Sequence, residues 1–267
     1  MDVRSLAWQT DLAIARLAGS EVEDRGDHIV VRTPANPTYY WGNFHLLESP
    51  PTQAEVADVL ARFDADFPGS EHKAIGVDGV EDQTSALGPL VAAGLTLEIA
   101  TVMTASSVHP PPRPNRDATY RQLETDHDWA QRIELGMAVD TEYDPVKHRV
   151  FLTRKAEHDR ALCAAGHGTW WGAFVGDDLA SVMGLVEVET SDSGALGRYQ
   201  SVETHPDFRG RGLAGTLVHR VATYGLEERG LRTLVMVADP EYLAIRIYRS
   251  VGFDGTEIET QLLKQGY

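Results

Sequence analysis

The 267-residue chain has one cysteine, Cys163, which excludes an intrachain disulfide framework and any cysteine-rich metal site. No apolar run approaches the roughly 20 residues that a membrane helix needs. The opening residues, Met1-Asp2-Val3-Arg4-Ser5, begin an amphipathic segment with no apolar signal core. A soluble cytoplasmic protein without a membrane partner is the expectation. Positive charge is scarce as well: 24 Lys and Arg stand against 40 Asp and Glu, for a net charge of −16. Such a field repels phosphate backbones, so nucleic acid is not an expected partner, whereas a cationic small molecule such as an amine would be drawn in. The Gly-Lys-Ser/Thr ending of a P-loop is also missing.

Proline is concentrated where it breaks the chain. Val108-His109-Pro110-Pro111-Pro112-Arg113-Pro114-Asn115 cannot donate ladder or helix hydrogen bonds at its prolines, and reads as an extended linker. It divides the sequence into a first domain, 1–107, a linker, 108–116, and a second domain, 117–267. The second domain reads as mixed α/β. A strand at Ala118–Leu123 precedes helices from Asp126 and near Pro145. A hairpin of Gly168–Val175 and Leu179–Val188 turns about Gly176-Asp177-Asp178. A strand at Gly197–Thr204 leads to a helix from Gly212, with Leu213, Leu217, Val221 and Tyr224 at helical spacing. Leu231–Ala238 is an apolar run suited to a buried strand. A helix at Glu241–Ser250, stopped by Gly252, and a strand at Thr256–Leu263 follow.

The first domain repeats this order more weakly. Strands are expected at Ile29–Thr33, Thr38–Leu47, Ala74–Asp78 and Thr96–Thr104, with helices at Thr52–Phe67 and Thr84–Ala93. Gly94-Leu95 corresponds to Gly252-Phe253, which points to a duplicated domain.

Chemistry concentrates in Ser201-Val202-Glu203-Thr204-His205-Pro206-Asp207-Phe208-Arg209-Gly210-Arg211-Gly212-Leu213-Ala214-Gly215. Here a strand passes into a helix through a loop with glycines at 210, 212 and 215. Free N–H groups and the positive end of the helix dipole make an anion site, and glycines let the backbone close around phosphate oxygens. Gly210-Arg211-Gly212-Leu213-Ala214-Gly215 also fits the dinucleotide Gly-x-Gly-x-x-Gly spacing, and Asp239 lies 24 residues past Gly215. Against that reading, Pro206 and Asp207 lengthen the turn and the arginines crowd it.

Arg209-x-x-Gly212-x-Ala214, preceded by Val202-x-x-x-Pro206 and followed by Ala244-x-x-x-Tyr248-x-x-x-Gly252-Phe253, resembles the signature of the GNAT acetyltransferase superfamily. The resemblance covers Ala118–Leu263 and implies a GNAT-like α/β fold, in two tandem copies if the first domain is a degenerate one. It implies acetyl-CoA as cosubstrate, with Arg209, Gly210, Arg211, Gly212, Leu213, Ala214 and Gly215 around the pyrophosphate. Backbone groups of Val202 and Thr204 would pair with the pantetheine arm, and the Val202 N–H would polarise the thioester carbonyl. Tyr248 would protonate the departing thiolate. The implied activity is transfer of an acetyl group to a primary amine of a small molecule or peptide by direct attack. A longer acyl donor and a non-catalytic acyl-CoA-binding regulator are the alternatives.

No acyl-enzyme is implied, so Cys163 is expected to be structural. The general base stays open among Glu187, Glu189, Glu203, His205 and water. His167, Trp170 and Trp171 are candidates for an acceptor pocket or for core, and Asn36–Phe44, with Tyr39, Tyr40 and Trp41, for an aromatic wall or a buried hairpin. No metal site is expected, and the protein is a monomer or homodimer on this reading. In the first domain Glu48-Ser49-Pro50-Pro51-Thr52-Gln53 stands where a glycine loop would be needed, so one coenzyme A per chain is expected.

Overall fold

The computed structural model describes residues 1–37, 39–190, 194–242 and 244–265. Thr38, where one expected strand begins, and Leu243, inside an expected helix, lie outside them. In chain order the first elements are α1 (Leu6–Leu17), β1 (Glu21–Asp24), β2 (His28–Arg32), β3 (Phe44–Leu47), α2 (Val56–Asp66), β4 (His72–Val77), α3 (Gly88–Ala92) and β5 (Thr96–Ala105). Then come β6 (Thr119–Gln122), α4 (Asp126–Val139), α5 (Pro145–Ala164), β7 (Gly168–Val175), β8 (Asp178–Thr190) and β9 (Gly194–Thr204). The chain closes with α6 (Leu213–Thr223), β10 (Thr233–Ala238), α7 (Ala244–Arg249) and β11 (Asp254–Gln265). No helix among the described residues is long and apolar enough to cross a membrane.

Two compact units form. The first comprises Met1–Met103, Val237–Glu241 and the stretch from Gly255 onward; the second comprises Thr104–Met236 and Tyr242–Asp254. The sequence reading assigns all of 117–267 to the second domain. The contacts differ because β11 pairs antiparallel with β4, Thr260 opposite Val77 and Gln265 opposite His72. The strand order in the first unit is β1-β2-β3-β4-β11-β5. Its β2 and β3 are antiparallel, and β3 and β4 are parallel, joined by α2 as the crossover. On one face α2 buries Val56, Val59 and Phe63 against Val30, Leu47 and Ile75. On the other, α1 buries Trp8 and Leu12 against Ile29, Phe44 and Leu46.

Three expectations in this unit shift. The strand expected at Thr38–Leu47 shortens to Phe44–Leu47, and Tyr40–Gly42 is a 3₁₀ turn. The Asn43 amide imposes that turn: its Oδ1 accepts from the Thr33 N–H, and its Nδ2 donates to the carbonyls of Asn36 and Tyr39. The helix expected from Thr52 begins at Val56, because the Glu55 carboxylate takes the Thr52 N–H and hydroxyl into a turn. The helix expected at Thr84–Ala93 divides into Thr84–Ala86 and Gly88–Ala92. Tyr40 packs on His72 with ring centroids 4.5 Å apart, and Trp41 packs on Trp8 at 6.1 Å, so these aromatics serve the unit's own interior.

In the second unit the strands run β10-β9-β8-β7-β6. Thr125 and Asp128 cap α4 reciprocally, and Asp144 accepts from the N–H groups of Val146 and Lys147 to start α5 at Pro145. The hairpin of β7 and β8 turns at 176–177, as its residue types predict. Trp170 is buried against Trp129, centroids 6.2 Å apart, while Trp171 packs on Tyr224. Cys163 sits half-buried on α5, and burial pushes its thiol up to about 11. The proline-rich stretch is extended but docked. His109 donates its N–H to the Val251 carbonyl at 2.9 Å, and Asn115 donates its N–H to Thr216 Oγ1 at 2.8 Å.

Candidate active site

The site is built where β9 passes into α6. β8 and β9 pair antiparallel as far as Gly184–Gln200, then resume at Val182–Glu203 and Ser181–Thr204. Ser201 and Val202 thus face Met183 alone, a β-bulge. Ser201 takes φ +49°, in the left-handed region that a non-glycine residue occupies at a cost. Beyond the bulge Ser181 holds the strand end: its hydroxyl donates to the Glu203 carbonyl at 2.7 Å and lies 2.9 Å from Thr204 Oγ1. On its other edge β9 pairs with β10 over Leu196–Arg198 only, opposite Thr233–Val235. Among the described residues, the ladder on that edge ends there while β9 continues to Thr204. Its last backbone groups are therefore placed to pair with an extended ligand.

After β9 a short turn, Pro206–Phe208, is capped by His205 Nδ1, which accepts the Asp207 N–H at 3.3 Å. Gly210 (φ +75°) and Gly212 (φ +76°) both adopt the left-handed conformation that favours glycine. Gly212 is the N-cap of α6 and provides no side-chain cap, so the N–H groups of the first turn stay available. Arg209 and Arg211 are both exposed, Arg209 donating to the Thr204 carbonyl at 3.2 Å and Arg211 to the Asp207 carbonyl at 3.0 Å. Two cations and the positive end of a helix dipole converge on a loop without side-chain bulk, in a chain whose net charge is strongly negative. Such an arrangement suits an anion.

Asn115 Nδ2 donates to the Arg211 carbonyl at 3.0 Å, so the docked proline stretch braces the glycine loop. A Cβ added to Gly212 would lie 2.4 Å from the Arg113 carbonyl oxygen. A Cβ on Gly215 would meet Pro111 at 3.3 Å and Ile247 at 3.4 Å. Gly215 thus lets α7 approach the first turn of α6, and the next residue of α7 is Tyr248. Tyr248 is 5% exposed, and burial pushes its phenol up to about 12, so it stays protonated at neutral pH. No hydrogen bond from its hydroxyl is formed among the described residues. The role of the proline stretch is not visible in the sequence, where it has the composition of a spacer. The bulge at Ser201 is equally silent there, since serine carries no signal for positive φ.

The four base candidates separate in space. Glu187 is held by Arg229 at 2.7 and 3.1 Å and lies opposite Gly197 on β9. Glu189 lies opposite Ala195. At about 3.3 Å per residue both are more than about 15 Å along the strand from Val202. His205 is engaged in its cap. Glu203 is adjacent to the bulge and partly buried, and burial holds its carboxyl above the usual range. Arg132 and Lys155 pull the same carboxyl down, while Asp140 and Asp159 push it up. Arg132 is itself ion-paired with Asp159.

The order β9, α6, β10, α7 thus places a bulged strand before a helix whose N-cap is Gly212. Residues 134–253 match the family described as Acetyltransferase (GNAT) family. The fold is similar over almost the whole chain to a GCN5-related N-acetyltransferase from Kribbella flavida, with 15% identity, TM-score 0.68, and 98% of this chain and 97% of that one covered. A functionally unknown conserved protein from Staphylococcus epidermidis gives 12% identity, TM-score 0.69, and coverage of 92% and 93%. A tandem GNAT protein from the clavulanic acid biosynthesis pathway gives 12% identity, TM-score 0.57, and coverage of 97% and 94%. Among curated proteins no sequence matches significantly. Residues 134–253 thus match the GNAT acetyltransferase family model, and the chain has the GNAT fold.

Proposed function

We propose that the second unit transfers an acetyl group from acetyl-CoA to a primary amine of a small molecule or peptide, by direct attack. The observation that carries this reading is the junction of a bulged, half-open strand with an uncapped helix N-terminus flanked by Arg209 and Arg211. An extended, pyrophosphate-bearing acyl donor suits both parts at once. The N–H groups of residues 210–215 take the pyrophosphate, and Val202 and Thr204 offer backbone groups to the pantetheine arm. The Val202 N–H, beside the bulge, is assigned to the thioester carbonyl oxygen.

Glu203 is assigned as general base, directly or through one water. It takes a proton from the ammonium, and the freed nitrogen lone pair attacks the acetyl carbon. The C–N bond forms, the C–S bond breaks, the Tyr248 hydroxyl donates a hydrogen bond to the departing thiolate, and the second nitrogen proton passes to that sulfur as the amide forms. A carboxyl held high by burial is closer in basicity to its task than an exposed one, although it remains a weak base for an amine, so desolvation of the acceptor has to supply the rest. Cys163 is not used: its thiol is pushed away from the thiolate form.

The test is a panel of amines incubated with acetyl-CoA, with release of free thiol and mass gain of the amine followed together. Mass gain on at least one amine is expected. Acetyl-CoA binding without transfer to any amine would favour a regulator, and absence of binding would overturn the site assignment.

A further inference from the structure

The first unit contains a cluster that this chemistry does not use. His28 on β2 and His45 on β3 lie diagonally across the antiparallel ladder, since His28 is opposite Leu47 and Val30 opposite His45. Their ring centroids are 5.0 Å apart. Both side chains are almost completely buried. Asp66, the last residue of α2, closes the third side, with its Oδ2 2.9 Å from His45 Nε2. One ligand atom from each of the three lies within 4.8 Å of the others.

Two details distinguish this from a structural His–Asp bond. His28 Nδ1 is 2.6 Å from Asp27 Oδ1, so that nitrogen carries the proton and Nε2 keeps a lone pair. That Nε2 is buried and has no hydrogen-bond partner. An imidazole oriented by a carboxylate through one nitrogen, with the other bare and buried, is the usual outer arrangement of a metal-bound histidine.

We propose that His28, His45 and Asp66 bind one zinc-class divalent cation, with water completing the coordination. Tetrahedral zinc at about 2.0–2.1 Å sets its donors about 3.4 Å apart, so the rings have to close inward by a modest rotation. The cation takes the place of the proton between His45 Nε2 and Asp66 Oδ2, and that proton moves to His45 Nδ1 as the ring changes tautomer. Asp66 also receives Arg25 on both oxygens and Arg32 on Oδ1, and these bonds can remain, because a carboxylate has about four lone-pair sites. Three arginines, Arg25, Arg32 and Arg62, are here paired with four carboxylates, Glu23, Asp27, Asp58 and Asp66. The surroundings thus hold a net negative charge before the cation enters, and the C-terminus of the 11-residue α2 adds to it.

The experiment uses the full chain without a histidine tag, stripped with chelator and titrated calorimetrically with zinc chloride. One zinc per chain is expected. His28→Gln and His45→Gln should each weaken it by about tenfold or more. His72→Gln should leave it within about twofold, because both His72 nitrogens are already engaged, Nδ1 with Ser70 and Nε2 with the Asn43 carbonyl. No saturable binding, or undiminished binding in both variants, overturns the proposal. Anomalous scattering from zinc-grown crystals gives a reading independent of the variants. A peak bonded to His28 Nε2 and His45 Nε2 supports the site, and a peak elsewhere or none overturns it.

Discussion

Replacing Tyr248 with phenylalanine tests the chemistry most directly, because the structure separates the hydroxyl's stability from its reactivity. The ring is buried at 5% exposure, and phenylalanine keeps it. The hydroxyl has no hydrogen bond among the described residues, so its loss should change folding stability by no more than about 0.5 kcal/mol. Its pKa of about 12 lies above the roughly 8.5 of a thiol. Full proton transfer to the thiolate is therefore uphill by roughly 3.5 units, about 5 kcal/mol. The phenol is better suited to donating a hydrogen bond to sulfur as charge develops than to surrendering its proton early. Charge-assisted bonds of this kind contribute about 1.5–3 kcal/mol, or roughly 10- to 150-fold in rate. Steady-state kinetics on an accepted amine should show kcat and kcat/KM falling together by that factor, with acetyl-CoA affinity within about twofold of wild type. A kcat within about twofold of wild type would make Tyr248 a packing residue. A normal kcat with weakened acetyl-CoA binding would make it a cofactor contact.

Glu203→Gln should lower kcat/KM by about 10²-fold or more and flatten the acid limb of its pH profile. The wild-type carboxyl, held above the usual range, must ionise before it can accept a proton, so activity rises with pH through that value; an unchanged profile would give the role to water. Gly212→Ala should destabilise the second unit as well as weaken acetyl-CoA binding, because its Cβ meets the Arg113 carbonyl at 2.4 Å. Gly210→Asp has nothing within 4 Å of an added Cβ, although φ +75° strains any side chain there, and in a variant shown to be folded should lower acetyl-CoA affinity by about tenfold or more; unchanged calorimetric affinity would refute the loop assignment. Trp8→Ala should cost about 3–5 kcal/mol in urea unfolding, since Trp8 is 1% exposed and donates from Nε1 to the Val77 carbonyl at 3.3 Å. An unshifted transition would refute its place in the core.

The order of elements in the second half was readable because helical spacing and glycine placement there agree with the fold at every step. Leu213, Leu217 and Val221 lie on one face of a helix that is in fact buried on that face. The glycine loop was readable for the same reason, since positive φ at Gly210 and Gly212 admits few other residues. What the sequence concealed depends on distant partners. Glu187, Glu189 and Glu203 are alike on paper, and only Arg229 and the neighbourhood of the bulge tell them apart. The 3₁₀ turn at Tyr40–Gly42 depends on the Asn43 amide reaching back across the turn, which β-propensity does not register. The pairing of β11 with β4 joins residues nearly 200 apart, and no local pattern encodes it.

That pairing also bears on how the protein is made. The first unit's sheet has a gap beside β4 that only Asp254–Gln265 fills. During synthesis roughly 180 residues follow β4 before β11 emerges, about 9–35 s at 5–20 residues per second. For that interval the N-terminal half presents an unpaired inner edge with apolar Ala74, Ile75 and Val77 along it, an invitation to pair with another nascent chain. The second unit is completed only shortly before, since it includes Tyr242–Asp254 just upstream of β11. The half translated first is thus the last to be finished.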